Sequence, residues 1–133
     1  MSGVGGLGGL GRPGTASSPC PCGTGVAYDA CCGRLHRGSA QAETPERLMR
    51  SRYAAYALGE HDYVWRTWHP RTRPLEVRGP SLHWFGLVVH EAVGDEVEFT
   101  ATHTEGRLHE RSRFARRAGR WFYLEATDAI TSS

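Results

Sequence analysis

Four cysteines in one short window carry the clearest chemistry in this chain of 133 residues. Cys20 and Cys22 are two positions apart, and Cys31 and Cys32 are adjacent. A disulfide scaffold usually spreads its cysteines over the whole chain, so this clustering favours a metal site over disulfides. Four thiolates around Zn²⁺ form a closed tetrahedral centre, which is structural rather than catalytic. We therefore predict a structural zinc site within residues 19–37.

The spacing of the cysteines leaves two alternatives open. Adjacent cysteines are awkward as joint ligands, and His36 could take the place of Cys32. The second alternative is a redox dithiol, although Cys-x-Cys differs from the usual Cys-x-x-Cys spacing of redox motifs. A segment this small cannot bury enough apolar surface to fold alone, so metal binding would supply its folding energy, about 10–16 kcal/mol in zinc-finger peptides.

Glu110 is the strongest candidate for acid–base chemistry. A hairpin turn at Glu105-Gly106 predicts that Glu110 lies opposite Ala101 on the apolar face of a sheet, with His103 as a diagonal neighbour. A carboxylate at an apolar site is either paired or has a raised pKa. Glu110 or His103 is therefore the candidate catalytic residue, acting as a general base in a cavity.

The alternative role for Glu110 is structural. A buried charge is usually retained only when it is paired, and two arginines of the preceding helix, Arg50 and Arg52, could pair with Glu110 or with Glu125. An ion pair of this kind would stabilise the domain without any part in a reaction.

Two tryptophans beside a histidine and an arginine form another cluster, at Trp65, Trp68, His69 and Arg73. Such a group could line a pocket or stack on a planar ligand. Tryptophans at helical spacing are more often core residues, so we expect Trp65 and Trp68 in the core and His69 near the cavity. The residues expected to line the cavity are Arg52, Tyr53, Trp68, His69 and Glu110.

Charge gives little support for a nucleic-acid partner. The chain has 16 basic and 14 acidic residues, a formal net charge of +2 and no lysine, which excludes lysine-based chemistry. Four thiolates together with Zn²⁺ bring that net charge to zero. We expect the arginines of the run 111–120 to form a solvated face that acidic residues partly neutralise, with Glu98 opposite Arg113.

The patterning of the chain predicts the elements that position these residues. The Gly-rich segment 1–18 has no continuous apolar run, so we predict a disordered tail and neither a signal peptide nor a membrane span. Thr44, Pro45 and Gly59 mark the ends of one helix, and a shorter helix ends before Pro70. Four strands follow, at roughly 82–90, 96–104, 107–116 and 120–126.

This order of elements predicts an α+β domain, with helices laid on an antiparallel sheet. The last strand has large apolar residues on both faces, since Trp121 and Tyr123 alternate with Phe122 and Leu124. We expect either the cysteine segment or a second copy of the chain, in a homodimer, to cover its outer face. Cysteine usage and the lack of a predicted targeting or membrane segment predict a cytoplasmic protein.

The cysteine segment resembles a known zinc motif. Cys20-Pro-Cys22-Gly-Thr-Gly, then Tyr28, then Cys31-Cys32-Gly are similar to the SEC-C motif at the C-terminus of SecA translocation ATPases. In that family the Cys-x-Cys pair, the later cysteine and the residue directly after it bind zinc. The ligands that the resemblance implies are Cys20, Cys22, Cys31 and Cys32. It thus favours Cys32 over His36.

The rest of the chain resembles the YchJ-like family of bacterial proteins. The similar stretches are RLMRSRYAAYALGEHDYVWRTWHPRTRP (47–74), HWFGLVV (83–89) and ERSRFARRAGRWFYLEA (110–126). The resemblance implies a nuclear-transport-factor-2-like domain over residues 42–133, in which a curved sheet wraps on helices and leaves a conical pocket.

Two functions are expected from these features. The zinc tail of SecA recognises the SecB chaperone, so the resemblance implies a zinc module that contacts another protein, beside a scaffold or ligand-binding domain. The alternative is a lyase, isomerase or hydrolase acting on a small organic molecule, with Glu110 or His103 as base and an arginine orienting an anionic group. A cavity filled by Trp68 and Tyr53 would exclude the enzyme.

Overall fold

The computed structural model of this protein describes residues 18–77 and 82–132. The tail predicted at 1–18 lies outside these ranges, apart from Ser18. The elements in chain order are a 3₁₀ helix (Tyr28–Ala30), α1 (Cys32–His36), α2 (Pro45–Leu58), α3 (His61–Arg66), β1 (Trp84–Val93), β2 (Glu96–His103), β3 (Gly106–Arg117) and β4 (Arg120–Ser132). None of the helices within the described residues is long and apolar enough to cross a membrane.

Helix α2 begins and ends where the sequence predicts. Thr44 is the N-cap, and its side-chain oxygen accepts a hydrogen bond from the backbone N–H of Arg47. Pro45 occupies the first helical position, where a backbone N–H is not needed. Gly59 ends the helix with a φ of +77°, in the left-handed region that favours glycine. Local sequence signals therefore fix the position of this helix.

The four strands form one antiparallel sheet in the order β1-β2-β3-β4. A two-residue turn joins each strand to the next, and the last of these turns has positive φ at both Ala118 (54°) and Gly119 (80°). Such turns match the natural twist of the strands. Helix α2 packs on one face of the sheet and contacts β1, β2 and β4. The predicted α+β fold, with helices on a curved antiparallel sheet, is confirmed.

The register between β2 and β3 differs from the prediction by two residues. The turn lies one residue earlier than expected, at Thr104-Glu105, so His103 pairs with Gly106. Glu110 consequently lies opposite Phe99 and not opposite its predicted partner. Because side chains of a strand alternate between faces, a shift of two residues keeps each residue on its predicted face. The faces were therefore predicted correctly, and the cross-strand partners were wrong.

Strand β4 has neighbours on both faces, and among the described residues no hydrogen bond or ring contact joins the cysteine segment to it. The N–H of His69 donates to the carbonyl of Tyr123, and the N–H of Tyr123 donates to the carbonyl of Thr67. The ring of His69 packs on Phe122, with 6.0 Å between the ring centroids. The segment that follows α3 thus lies along β4, and the prediction that the cysteine segment covers this strand is wrong. Cover by a second copy of the chain stays a prediction.

Candidate functional site

The sulfur atoms of the four cysteines lie together at the start of the described chain. All four Sγ atoms are within 4.8 Å of one another, and those of Cys22 and Cys31 are 3.7 Å apart. Cys22 and Cys32 are fully buried, Cys20 and Cys31 are nearly so, and all four are free thiols rather than disulfides. Zn–S bonds of about 2.3 Å place the sulfurs of a tetrahedral site about 3.8 Å apart. This four-cysteine cluster therefore has the dimensions of a metal site.

The thiols of the cluster cannot all ionise without a positive charge among them. Hydrogen bonds with Cys20 and then Cys32 hold the pKa of Cys22 far below its usual range. The hydrogen bond with Cys22 raises the pKa of Cys20 to about 11, and hydrogen bonds with Cys20 and Cys22 raise the pKa of Cys32. Like charges at this spacing disfavour further ionisation unless a cation is bound between them. The donor set thus fits a thiolate-binding metal ion.

The backbone around the cluster is tightly folded. The N–H of Cys20 donates to the carbonyl of Val26, and the N–H of Tyr28 donates to the carbonyl of Ser18, so the chain leaves and returns as a narrow loop. Gly33 directly follows the second cysteine pair. A Cβ atom at this position would lie only 2.8 Å from the carbonyl oxygen of Tyr28. Position 33 therefore requires glycine because the backbone of α1 touches the backbone of Tyr28 there.

Helix α2 contacts the cluster with one of its faces. Arg47 donates a hydrogen bond to Sγ of Cys31 at 3.1 Å, and Arg50 donates to the carbonyl oxygen of Cys22 at 2.8 Å. Ala54, one turn further along α2, is fully buried against the cluster. Outer contacts of this kind orient metal ligands, and the arginines balance the negative charge of the thiolates.

His36 lies outside the cluster and joins the cysteine module, which we define as residues 18–37, to α2. Its Nε2 is 2.9 Å from the carbonyl oxygen of Ser51 and so carries the proton, and its Nδ1 accepts a hydrogen bond from the hydroxyl of Tyr28 at 2.7 Å. Burial lowers the pKa of His36, which favours the neutral ring. The structure therefore does not place His36 where it could replace Cys32 as a ligand.

The opposite face of α2 lines a cavity of about 340 Å³ between the helices and the sheet. Met49, Arg52, Tyr53 and Tyr56 lie on this face, since they recur at spacings of three and four. The other lining residues are Trp68, Trp84, Phe99, Ala101, Leu108, Glu110, Ser112, Phe114 and Tyr123. The cavity is thus mainly aromatic, with a few polar groups.

Glu110 lies in this cavity and is hydrogen-bonded without an arginine partner. Ser112 donates to one oxygen of the carboxylate at 2.5 Å, and the hydroxyl of Tyr123 donates to the same oxygen at 3.3 Å. Among the described residues no ion pair includes Glu110, and Arg50 pairs with Glu46 instead. The predicted ion pair between Glu110 and an arginine of the helix is therefore wrong.

Three residues lie elsewhere than the sequence predicted. His69 packs on β4 outside the cavity. His103 lies beside the turn, with its ring 4.7 Å from that of Trp84, because the shifted register moves it away from Glu110. Trp65 lies at the edge of the domain rather than in the core. The guanidinium of Arg73 covers its ring, with Cζ 3.7 Å from the ring centroid. Of the expected lining residues, the structure brings together Arg52, Tyr53, Trp68 and Glu110.

Reasoning from the sequence did not include Tyr56, Trp84 or Ser112 among the cavity residues, although all three line the cavity. Tyr56 continues the stripe of Arg52 on α2, so helical spacing could have identified it. Ser112 is a small polar residue on the apolar face of β3, and a residue of that kind leaves space beside larger neighbours. Trp84 is brought to the cavity from the start of β1, which no local pattern indicates.

Part of the charge on the outer face of β3 is neutralised. Arg111 donates to three carboxylates, those of Glu91, Glu96 and Glu98. Arg113 pairs with Glu96 and Glu125. Glu98 lies opposite Arg111 rather than opposite Arg113, which is a consequence of the same two-residue shift in register.

Comparison with known proteins assigns both parts of the structure. A family model described as the YchJ middle NTF2-like domain matches residues 44–126, and the SEC-C motif matches residues 17–34. The chain belongs to the YchJ-like family. A UPF0225 protein of Deinococcus radiodurans is 54% identical over 116 residues, covering 83% of this chain and 89% of the relative. Another, from Streptomyces coelicolor, is 46% identical over 115 residues, covering 80% and 93%.

Solved structures share the fold of this YchJ-like chain. The solution structure of a SEC-C motif containing protein from Rhodopseudomonas palustris is 38% identical, with a TM-score of 0.69 over 80% of this chain and 95% of the other. The crystal structure of a SEC-C motif containing protein from Psychrobacter arcticus is 26% identical, with a TM-score of 0.68 over 89% and 86%. The YchJ-like chain thus combines an N-terminal SEC-C motif, whose cysteines form a candidate metal site, with an NTF2-like domain.

Proposed function

We propose that this protein binds a small organic molecule in its central cavity, and that one structural zinc ion in the cysteine module fixes the helix that forms a wall of that cavity. The observation that carries the proposal is the cavity itself. Its volume of about 340 Å³ is in the range of ligand sites. Trp68 and Tyr53 line the space without filling it. Protein interiors are otherwise closely packed, so a space of this size favours a ligand.

Zinc is the proposed metal because all four donors are cysteines. Thiolate ligands select Zn²⁺ over the harder divalent cations, which prefer oxygen. The 3.7 Å between Sγ of Cys22 and Sγ of Cys31 agrees with the spacing of about 3.8 Å in a tetrahedral zinc–sulfur site. Four protein ligands leave no coordination position for water or substrate, so the role of the ion is structural.

The metal and the cavity are connected through α2. Arg47, Arg50 and Ala54 face the cysteine module, whereas Arg52 and Tyr56 face the cavity. Residues two apart on a helix point about 200° apart, so these are opposite faces of one helix. Folding of the module around zinc therefore supports α2 from behind while its other face contacts the ligand.

The cavity favours binding over catalysis. Among the described lining residues, Glu110 is the one carboxylate, and none is a histidine, cysteine or lysine. Two hydrogen bonds already occupy one of its oxygens, and His103, the other candidate base, lies outside the cavity. The titratable group beside Glu110 is Tyr123, and burial raises the pKa of its phenol, so this group stays protonated near neutral pH and does not act as a base.

The test is an NMR titration of the ¹⁵N-labelled, zinc-loaded full chain with a library of small aromatic compounds. We expect the amide shifts that change to belong to α2 and to the inner face of β3. The matched control is Ala101→Phe, which fills the cavity from β2 and should abolish these shifts while the chain stays folded, with a thermal midpoint that is lowered but still well above the titration temperature. Compounds that shift only surface residues, or that bind the filled variant equally well, would contradict the proposal.

A second candidate function is contact with a protein partner through the cysteine module. A cleft of about 360 Å³ beside the cluster is lined by Arg34, Arg47 and Arg50 and by Val26, which is 46% exposed. An exposed apolar side chain among arginines suits an acidic segment of another protein. In a pulldown, the surface variant Arg34→Glu should release a partner that the unchanged chain retains. If no retained protein depends on Arg34 or on the metal, this function is excluded.

A further inference from the structure

We propose that the ligand of the cavity is a small organic carboxylate whose negative charge is bound by Arg52. The inference rests on the proposed function, since it names the ligand class of the same cavity. Arg52 projects from the middle of α2, lines the cavity and is only 6% exposed. A guanidinium this deeply buried is costly unless charge or hydrogen bonds compensate it.

The hydrogen bonds of Arg52 use one of its three nitrogens. Nη1 donates to the carbonyl of Val64 at 2.8 Å and to the hydroxyl of Thr67 at 2.8 Å. Within the described residues, Nη2 and Nε have no hydrogen-bond acceptor. These two nitrogens form the edge of the fork that binds a carboxylate through two parallel hydrogen bonds.

The guanidinium of Arg52 makes no contact ion pair among the described residues. Glu110 lines the same cavity and stabilises the charge of Arg52 electrostatically without touching it. Two aromatic rings flank the guanidinium, with Cζ 4.6 Å from the ring centroid of Tyr123 and 5.2 Å from that of Trp68. These rings fix the orientation of the guanidinium and leave two of its nitrogens for another group.

The cavity walls have an excess of donors. Besides the free nitrogens of Arg52, the indole Nε1 of the lining residue Trp68 is a buried donor without a partner among the described residues. One oxygen of Glu110 already accepts hydrogen bonds from Ser112 and Tyr123, and within the described residues its other oxygen has no donor. The unpaired donors of this site outnumber its one free acceptor, which favours a ligand that brings acceptors.

A cationic ligand fits this arrangement less well. Aromatic cavities with one carboxylate can bind ammonium groups, but here Arg52 already occupies the faces of Trp68 and Tyr123. A second cation in the same cavity would be repelled by the guanidinium at low dielectric. The aromatic lining favours a ring in the ligand, and a monocyclic acid is small enough for about 340 Å³.

The experiment compares three probes that differ in one group, 4-hydroxybenzoate, 4-hydroxybenzamide and 4-hydroxybenzylamine. Binding to the zinc-loaded full chain is measured by isothermal titration calorimetry, with ligand-observed NMR for weak probes. We expect the acid to bind about tenfold or more tightly than the amide, as the loss of a charge-assisted hydrogen bond predicts, and the amine to bind weakest.

Two variants assign the preference to Arg52. Arg52→Met should reduce the ratio of acid to amide affinity to about one, and Arg52→Lys, which keeps the charge and is more certain to fold, should reduce it several-fold. Glu110→Gln is the matched control in the same cavity, and it should keep or increase the preference for the acid because a like charge is removed. If neither Arg52 variant folds, the ratio in the unchanged chain decides.

The outcomes separate this inference from the proposed function. Equal affinity for acid and amide, or tighter binding of the amine, would overturn the carboxylate assignment and leave the cavity as a ligand site. An acid preference that persists in folded Arg52→Met would also overturn it. Absence of binding by all three probes at millimolar concentration would count against the assignment, and the fragment titration then decides whether the cavity binds any ligand.

Discussion

The cysteine module and the cavity lie on opposite faces of the same helix and are built in different ways. The module takes its donors from 13 consecutive residues, Cys20 to Cys32, and its chemistry follows from residue type and spacing. The cavity takes its lining from α2, all four strands and the segment after α3, so its chemistry follows from the fold. On the proposed function, the stability of the module depends on a bound ion, whereas the stability of the cavity depends on the packing around it. Substitutions in the module should therefore reduce stability more than substitutions in the cavity.

The largest expected effect is loss of the metal. Cys22→Ser removes one fully buried ligand, so zinc binding should be lost together with about 3 kcal/mol or more of the free energy of unfolding. The measurement is chemical denaturation with and without a chelator. The chelator should destabilise the unchanged chain to the level of the variant and leave the variant unaffected. Equal stability of both proteins with zinc present would contradict the proposal that zinc stabilises the module.

A second change tests the module without touching a ligand. The variant Gly33→Ala places a Cβ 2.8 Å from the carbonyl oxygen of Tyr28. Because the backbone must move to relieve this contact, we expect the free energy of unfolding to decrease by about 2–3 kcal/mol. The control is Gly86→Ala in β1, where the nearest atom is the Cβ of Thr102 at 3.4 Å. The control variant should lower the free energy of unfolding by less than about 1 kcal/mol. If thermal denaturation shows similar losses of stability for both variants, the backbone contact at Gly33 does not stabilise the module.

The pH dependence of stability tests the contact between the module and α2. Burial lowers the pKa of His36 below its ordinary value of 6.5 in the folded chain, so the unfolded chain takes up the proton first. Stability is therefore fully present above pH 6.5 and should fall as the pH decreases from 6.5 towards the folded pKa, by at most about 1.4 kcal/mol per pH unit. Denaturation with zinc present, between about pH 8 and about pH 5.5, measures this slope.

The variant His36→Gln is the control for that slope. Glutamine can still donate to the carbonyl of Ser51, but it does not titrate. The stability of the variant should therefore fall much less between pH 6.5 and 5.5 than the stability of the unchanged chain. A slope that remains the same in the variant would assign the effect to other groups.

The smallest effect is expected in the cavity. Glu110→Gln keeps an oxygen that can accept from Ser112 and Tyr123, and no ion pair is lost, so stability should change by less than about 1 kcal/mol. Glu98→Gln, on the outer face of the neighbouring strand, is the comparison because it does lose ion pairs. A thermal denaturation loss for Glu110→Gln that clearly exceeds the loss for Glu98→Gln would indicate a structural role for Glu110.

Local signals in the sequence were sufficient for the helix and for the cysteine cluster. Thr44, Pro45 and Gly59 act through the backbone of their own turn, so they predict the ends of α2 without knowledge of the fold. The alternation of apolar residues likewise predicted which faces of β2 and β3 are buried. The proximity of the four sulfurs follows from their short separation along the chain.

Features that depend on distant residues could not be predicted in this way. A two-residue hairpin at Thr104-Glu105 and one at Glu105-Gly106 present the same faces, so alternation does not distinguish them. The consequence was the placement of His103 beside Glu110, which the structure contradicts. Neither the missing partner of Arg52 nor the approach of Trp84 to the cavity is visible in a single sequence, because each depends on how α2 packs on the sheet.

Native mass spectrometry of the freshly reduced full chain, before and after treatment with a chelator, tests whether the cysteine module holds one structural zinc ion. We predict one zinc ion per chain, bound with loss of the protons of the four thiols and removed by the chelator together with the folded charge-state distribution. A chain that carries no metal when freshly reduced and yet remains folded would contradict the proposed zinc site.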